Sequence, residues 1–274
     1  MQKDNQTVRD HLWLWAHDAQ FYGEGAGLPG IAHITPLEGA FYMGIPNVMF
    51  IRYYDKPEPP FAQYTVPFKA LRSFEWSLFN NINQPHKLGS EQEEVYRLAA
   101  LRPNMTGVVM DDFVIATDDG ALKLTLSPEQ LAEAKRRLEN IEDRKLDLSV
   151  VVYAHQLGLP LTEPLADSDV ILFWTWYPAE LSALAENLLR VEALFPGKRI
   201  KLGCYMWDFS AGKPMPLALL QQQCASALDW LRAGRIEGII FLGSNICDLE
   251  LESVEWTRKW ISEVGDLPVS ASEE

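Results

Sequence analysis

Cysteine is scarce in this chain of 274 residues: Cys204, Cys224 and Cys247 are an odd number without metal-type spacing. That excludes a disulfide framework and a zinc site and leaves core thiols as the better reading. Long apolar runs are missing as well. Hydrophobic residues make up 47% of the chain, yet no uninterrupted stretch approaches a membrane span, which needs roughly 18 residues. Basic residues are outnumbered, 24 Lys and Arg against 38 Asp and Glu, giving a formal charge of -14. With no Lys/Arg cluster to act as a local exception, the surface repels phosphate backbones, so neither nucleic acid nor a membrane is expected as a partner. The N-terminal residues MQKDNQTVRDH have no apolar signal-peptide core. The expectation is a soluble chain, either cytoplasmic or the mature part of an exported precursor.

Two motifs are also absent. The Gly-rich stretch GEGAGLPG begins several residues past His17 and lacks G-x-G-x-x-G spacing, which argues against a dinucleotide-binding open sheet. A His-x-His on the first strand, common in metal-dependent barrel hydrolases, is replaced by Trp15-Ala16-His17. No metal and no cofactor are expected.

What is present is centred on GVVMDDF, residues 107 to 113, a short apolar run that ends in two adjacent carboxylates, Asp111 and Asp112. Parallel barrels present catalytic groups in this way, at the C-terminal ends of buried strands. Seven further stretches read as strands: Leu12 to His17, Asn47 to Tyr53, Ser73 to Asn80, which a continuing helix fits nearly as well, Leu146 to His155, Asp169 to Trp176, Arg199 to Phe209 and Glu237 to Asn245, with Met105 to Phe113 as the fourth in chain order. Helical periodicity or capping falls on Phe61 to Leu71, Glu91 to Leu101, Ser127 to Asn140, Ala179 to Phe195, Pro216 to Ala233 and Val254 to Val264. The clearest start is Ser127-Pro128-Glu129-Gln130, an N-cap followed by proline and an acid. From Asp18 to Pro46 runs a long connection with a short helix near Leu37 to Met43, of the kind that closes over sites.

Eight strands alternating with helices over this length predict a single (β/α)8 TIM barrel in residues 12–265 with a long loop after the first strand. The final residues, 266–274, read as a mobile tail. A barrel brings the strand ends to one mouth. Those ends hold His17, Arg52, Asp111, Asp112, Tyr153, His155, Trp174, Trp176, Trp207, Asp208 and Asn245. Indole and phenol faces stack on sugar rings, while carboxylates, Asn and Arg bond hydroxyls, so an oligosaccharide or polysaccharide is the expected partner. Glycoside hydrolysis needs two carboxyl groups, one protonated and one ionised, and Asp111 or Asp112 on strand four with Asp208 on strand seven supply a candidate pair.

These aromatic-rich strands, with carboxylates closing strands four and seven, resemble the large (β/α)8 glycoside hydrolase superfamily. The resemblance implies catalytic acids at those two strand ends; from the residues themselves His155, Tyr153 and Arg52 are expected to orient them and Trp174, Trp176 and Trp207 to stack sugar rings. The pattern departs from the commonest clan, where both acids are Glu and an Asn precedes the first; here both are Asp, and Met110 precedes Asp111. Each residue also has a plain structural reading. Asp208 starts a turn, Arg52 forms an ion pair, Glu180 complements a helix dipole and the indoles pack in the core. Two other functions fit the inventory: a metal-dependent sugar isomerase or epimerase, and a barrel that binds glycans without turnover.

Overall fold

The computed structural model describes residues 6–21, 25–79, 88–116 and 122–269. The strands in chain order are β1 (Leu12–Ala16), β2 (Asn47–Phe50), β3 (Ser73–Ser77), β4 (Met105–Met110), β5 (Val114–Ala116), β6 (Leu122–Leu124), β7 (Asp147–Tyr153), β8 (Val170–Trp174), β9 (Arg199–Tyr205), β10 (Trp207–Asp208), β11 (Lys213–Pro214) and β12 (Gly238–Leu242). The α-helices are α1 (Pro36–Met43), α2 (Phe61–Tyr64), α3 (Leu88–Leu101), α4 (Pro128–Leu138), α5 (Leu184–Leu194), α6 (Leu217–Arg232) and α7 (Glu252–Val264). Among the described residues, eight strands form a closed barrel in the order β1-β12-β9-β8-β7-β4-β3-β2, so the expected (β/α)8 fold is present. The remaining strands make two small antiparallel hairpins, β5-β6 and β10-β11.

The chain packs as two compact units, Met1–Val48, Thr175–Leu184 and Ile200–Glu274 in the first and Met49–Trp174 and Ala185–Arg199 in the second. In the first unit β12 lies between β1 and β9, parallel to both, with Leu12 opposite Ile239 and Leu242 opposite Tyr205. These strands are buried almost end to end, which is why they read as unbroken apolar runs rather than alternating ones. Helix α1 begins with a capping box: Glu38 accepts from the Thr35 backbone N–H at 2.8 Å and from its hydroxyl at 2.7 Å. The segment expected as a mobile tail is tied down where it is described. Val8 N–H donates to Leu267 O at 2.9 Å, Val269 N–H to Gln6 O at 3.1 Å, and Arg9 pairs with Asp266. Leu267 and Pro268 give it the partners that its polar composition hides.

In the second unit β3, β4, β7 and β8 run parallel, with Val109 opposite both Ser77 and Ser149. Phe74 and Trp76 point from β3 into an aromatic cluster: Trp76 stacks on Phe50 at 4.4 Å and contacts Phe61, and Phe74 meets Phe68 edge-on at 5.3 Å. Truncating one such buried ring costs about 3–5 kcal/mol. The alternation of side chains then puts Ser77, Val109 and Ser149 on the opposite face. Pro67 splits the helix expected over Phe61 to Leu71 into α2 and a 3-10 turn, Pro67–Ala70, because proline has no N–H to continue the ladder.

Several strands stop earlier than their apolar patterns suggest. β7 ends at Tyr153 and turns into a 3-10 helix, Ala154–Gln156; β8 ends at Trp174, so alternation does not carry on to Trp176. β9 ends at Tyr205, and Trp207 and Asp208 belong to the hairpin beyond it. The expected strand end at Asn80 lies outside the described residues.

Candidate active site

In the second unit the β4 ladder ends at Met110 and the chain turns at once through Asp111 and Asp112. Asp112 adopts φ +46°, in the left-handed region, which carries a backbone cost for a residue with a Cβ and recurs at functional sites. Neighbouring elements hold the turn in place. Thr125, just past β6, donates its N–H to Phe113 O at 3.0 Å, which closes the base of the hairpin. Buried Gln156 donates from Nε2 to Val114 O at 3.0 Å and accepts from the Tyr153 N–H at 3.0 Å, clipping the hairpin to the end of β7.

That clip brings Tyr153 to the turn, where its hydroxyl donates to Asp112 Oδ1 at 3.0 Å. The His155 ring stacks on Tyr153 at 5.3 Å with the planes 11° apart. Burial, with the Asp112 carboxylate second, pushes the Asp111 carboxyl well above its ordinary range, against a hydrogen bond from the Asp112 backbone N–H. Burial also raises Asp112, opposed by the Tyr153 hydroxyl and the charge of His155. Two adjacent carboxyls that are both raised resist ionising together, which favours a neutral acid beside an ionised one. The hydrogen bond to Tyr153 favours Asp112 as the ionised member.

Arg52 is also in the second unit. It is 1% exposed, its Nη1 lies 3.3 Å from Glu91 Oε2, its Nε donates to Pro57 O at 3.1 Å, and its guanidinium sits 4.7 Å from the Phe61 ring centre. These contacts give Arg52 the ion-pair role; its partner is a glutamate on α3. Trp174 is buried at the end of β8, in register with Tyr153.

In the first unit the residues at the strand ends are occupied in building loops. His17 is buried, stacked on Phe21 at 4.1 Å, and its backbone N–H donates to Ser244 Oγ at 3.3 Å. Trp176 meets Tyr205 edge-on at 5.6 Å. Trp207 donates from Nε1 to Ala26 O at 2.9 Å, anchoring the long loop after β1. That loop passes so close to the hairpin that a Cβ at Gly27 would lie 2.3 Å from Gly212 O, and Gly27 has φ +65°, which makes glycine necessary there. A second anchor is Asp248, whose Oδ2 accepts from the backbone N–H groups of His33 and Ile34 at 2.7 and 3.1 Å.

Asp208 is buried and organises the hairpin turn. Its Oδ1 accepts from Ser210 Oγ at 2.6 Å and from Ala211 N–H at 3.1 Å, and its Oδ2 lies 3.9 Å from Lys213 Nζ. Asn245, 1% exposed, keeps both polar atoms of its side chain without a hydrogen-bond partner among the described residues. Glu38 is engaged by Thr35, and Glu24 lies outside the described residues. No group of three or more His, Cys, Asp or Glu that could hold a metal ion occurs among the described residues.

Neither a protein-family model nor a characterised sequence matches the chain. Solved structures do. The chain is similar to the GH2 β-galacturonidase of Eisenbergiella tayi bound to galacturonate, with TM-score 0.57 and 10% identity over 96% of this chain and 52% of that one. It is also similar to the Group IV chitinase of Ostrinia furnacalis in complex with allosamidin, with TM-score 0.50 and 11% identity over 92% and 99%. A third is the fructose-bisphosphate aldolase of Slackia heliotrinireducens, with TM-score 0.51 and 16% identity over 95% and 83%. At these identities the likeness is one of fold. The chain spans about half the length of the galacturonidase.

Proposed function

We propose that the protein hydrolyses glycosidic bonds of an oligosaccharide or polysaccharide, with its acid–base chemistry in the Asp111–Asp112 turn. The observation that carries this reading is the turn itself: two adjacent carboxyls at a barrel strand end, one fixed by the Tyr153 hydroxyl at 3.0 Å. In this reading neutral Asp111 gives its proton to the glycosidic oxygen as that bond breaks. Ionised Asp112, oriented by Tyr153, takes a proton from the attacking water. Aromatic residues at the strand ends, His155 and Tyr153 among them, provide flat faces for the sugar.

Asp208 is the second candidate for the ionised carboxylate. Its Oδ1 already accepts from Ser210 and Ala211, and that commitment favours Asp112. Two fold neighbours are, by name, a galacturonidase and a chitinase, and this agrees with the reading. The third is an aldolase on the same fold, so the argument stands on the residues of this chain.

The experiment is product release from a panel of oligosaccharides and polysaccharides, comparing the natural chain with Asp112→Asn. Loss of turnover by about 10²–10⁴-fold in the variant is expected. Turnover that survives the substitution would remove the turn from the chemistry, and a natural chain that releases nothing across the panel would overturn the carbohydrate hydrolase.

A further inference from the structure

The buried amides of the first unit are of two kinds. Asn47, at the start of β2, donates from Nδ2 to Asp10 O and to Leu12 O, both at 2.9 Å. Gln223, on α6, donates from Nε2 to Gly203 O at 3.0 Å. Both are committed to backbone carbonyls. Asn245 is buried as deeply as Asn47, yet neither its Nδ2 nor its Oδ1 has a hydrogen-bond partner among the described residues. Its neighbours in sequence are accounted for: Ser244 Oγ accepts from the His17 N–H, and Cys247 Sγ donates to Gly243 O at 3.5 Å. Buried polar groups are nearly always bonded, and an amide with both ends unpaired requires a reason.

A second such group lies at the same end of the barrel. Thr175, also in the first unit and 2% exposed, has an Oγ1 without a hydrogen-bond partner among the described residues. It is the first residue past β8, as Asn245 is the third past β12, and β9 alone stands between those two strands. Both residues therefore sit at C-terminal strand ends, where barrels hold their ligands. Two strand spacings of about 4.8 Å set them about 10 Å apart, which leaves room for a sugar-sized ring between the side chains.

The long loop after β1 lies against the segment that carries Asn245. A Cβ at Gly39, on α1, would be 3.2 Å from Ser244 Cβ, and Asp248 accepts from the His33 and Ile34 N–H groups. In sequence Asn245 falls between these two points of contact. The Asp248 bonds are exposed, so the loop can part from the strand end there while the ladder stays closed.

The unpaired amide also selects its ligand. An anion would serve Nδ2 and leave Oδ1 unpaired, and a cation would do the reverse. A vicinal diol serves both, one hydroxyl donating to Oδ1 while its neighbour accepts from Nδ2, and Thr175 Oγ1 can give or take a bond with a further hydroxyl. We infer that Asn245 and Thr175 are the hydroxyl-reading residues of a sugar subsite at the strand ends of the first unit. The inference rests on the carbohydrate reading above for its class of ligand, and it concerns binding rather than the step that breaks the bond.

The test uses two substitutions of similar shape in the full chain, Asn245→Leu and Thr175→Val. Unfolding temperature is measured without ligand, then with glucose, galactose, mannose or xylose, and with N-methylacetamide as an amide probe; Kd is taken from the shift as concentration rises. Without ligand, Asn245→Leu is expected to unfold at a higher temperature than the natural chain, because an unpaired buried amide gives way to an apolar group of similar size. At least one sugar is expected to raise the unfolding temperature of the natural chain, with Kd about tenfold weaker in Asn245→Leu and less affected in Thr175→Val. The general stabilisation by excluded sugar is common to all three chains and cancels in this comparison. A lower unfolding temperature for Asn245→Leu would reveal a structural partner for the amide and overturn the subsite. So would sugar shifts that both variants retain, a shift from N-methylacetamide alone, or no sugar shift in the natural chain, whatever the glycan panel shows. Sugar shifts lost in the variants, with no product from that panel, would keep the subsite and remove the hydrolase; product release without a sugar shift would keep the hydrolase and remove the subsite.

Discussion

Asp111–Asp112 and Asp208 are alike in sequence, acids that follow an apolar strand, and differ in what the fold makes of them. Asp208 has its Oδ1 filled by a hydroxyl and a backbone N–H two and three residues ahead, so its charge is used in forming a turn. At the β4 end the turn is closed by other residues, Thr125 and Gln156, and the Asp112 carboxylate accepts instead from the Tyr153 hydroxyl, a residue of a neighbouring strand. A carboxylate at a strand end is thus available for chemistry in proportion to how much of the local hydrogen bonding is done by someone else.

The contrast breaks most sharply by substitution of the neutral acid. Asp111→Asn is expected to cut kcat by about 10²–10⁴-fold, since an amide cannot donate the proton; a loss below tenfold would make the two sites equivalent. Next in size is the effect on stability. Burial raises the folded pKa of Asp111 above that of the unfolded chain, so the folded state binds that proton more tightly. The stabilisation is complete below the unfolded value and is lost as pH rises through the folded one. Asp111→Asn should therefore gain unfolding temperature over the natural chain at about pH 8 and gain none at about pH 2.5, where the carboxyl is neutral in both states. Calorimetry at the two pH values reads this directly, and a gain of equal size at both would point to packing instead.

The smallest expected effect is at Asp208. Asn keeps an oxygen in place of Oδ1, so Asp208→Asn should retain the hairpin and lower turnover by less than about tenfold. A collapse matching that of Asp112→Asn would make Asp208 the opposing carboxylate and reverse the comparison.

Strand–helix alternation and the cap at Ser127 made the barrel legible, because buried parallel strands and helix starts are written locally. Strand ends were less so. Apolar periodicity runs through Trp176 and Trp207 without showing that the ladder has already stopped at Trp174 and Tyr205. The β5-β6 hairpin went unread, as three-residue strands carry too little pattern. At the site, the acids at 111 and 112 were visible from their position after Val108-Val109-Met110. Gln156 was not, since a glutamine after a strand looks like any loop residue; its spacing of three from Tyr153 was the only signal. Arg52 reads as an ion-pair former, but its partner could not be named, since Glu91 lies on a helix that sequence order does not bring near.

The pairing of residues 6–9 with 265–269 makes the described chain almost a ring, since Gln6 and Val269 stand one hydrogen bond apart. A short peptide joining the two ends would be free to do so without crossing the body of its own unit, and the chain could be reopened elsewhere, for instance at the turn of Glu142 and Asp143. Such a circular permutant would keep every strand neighbour while moving the cut from the first unit to the second, and would show whether the order in which the strands are made matters to the barrel they form.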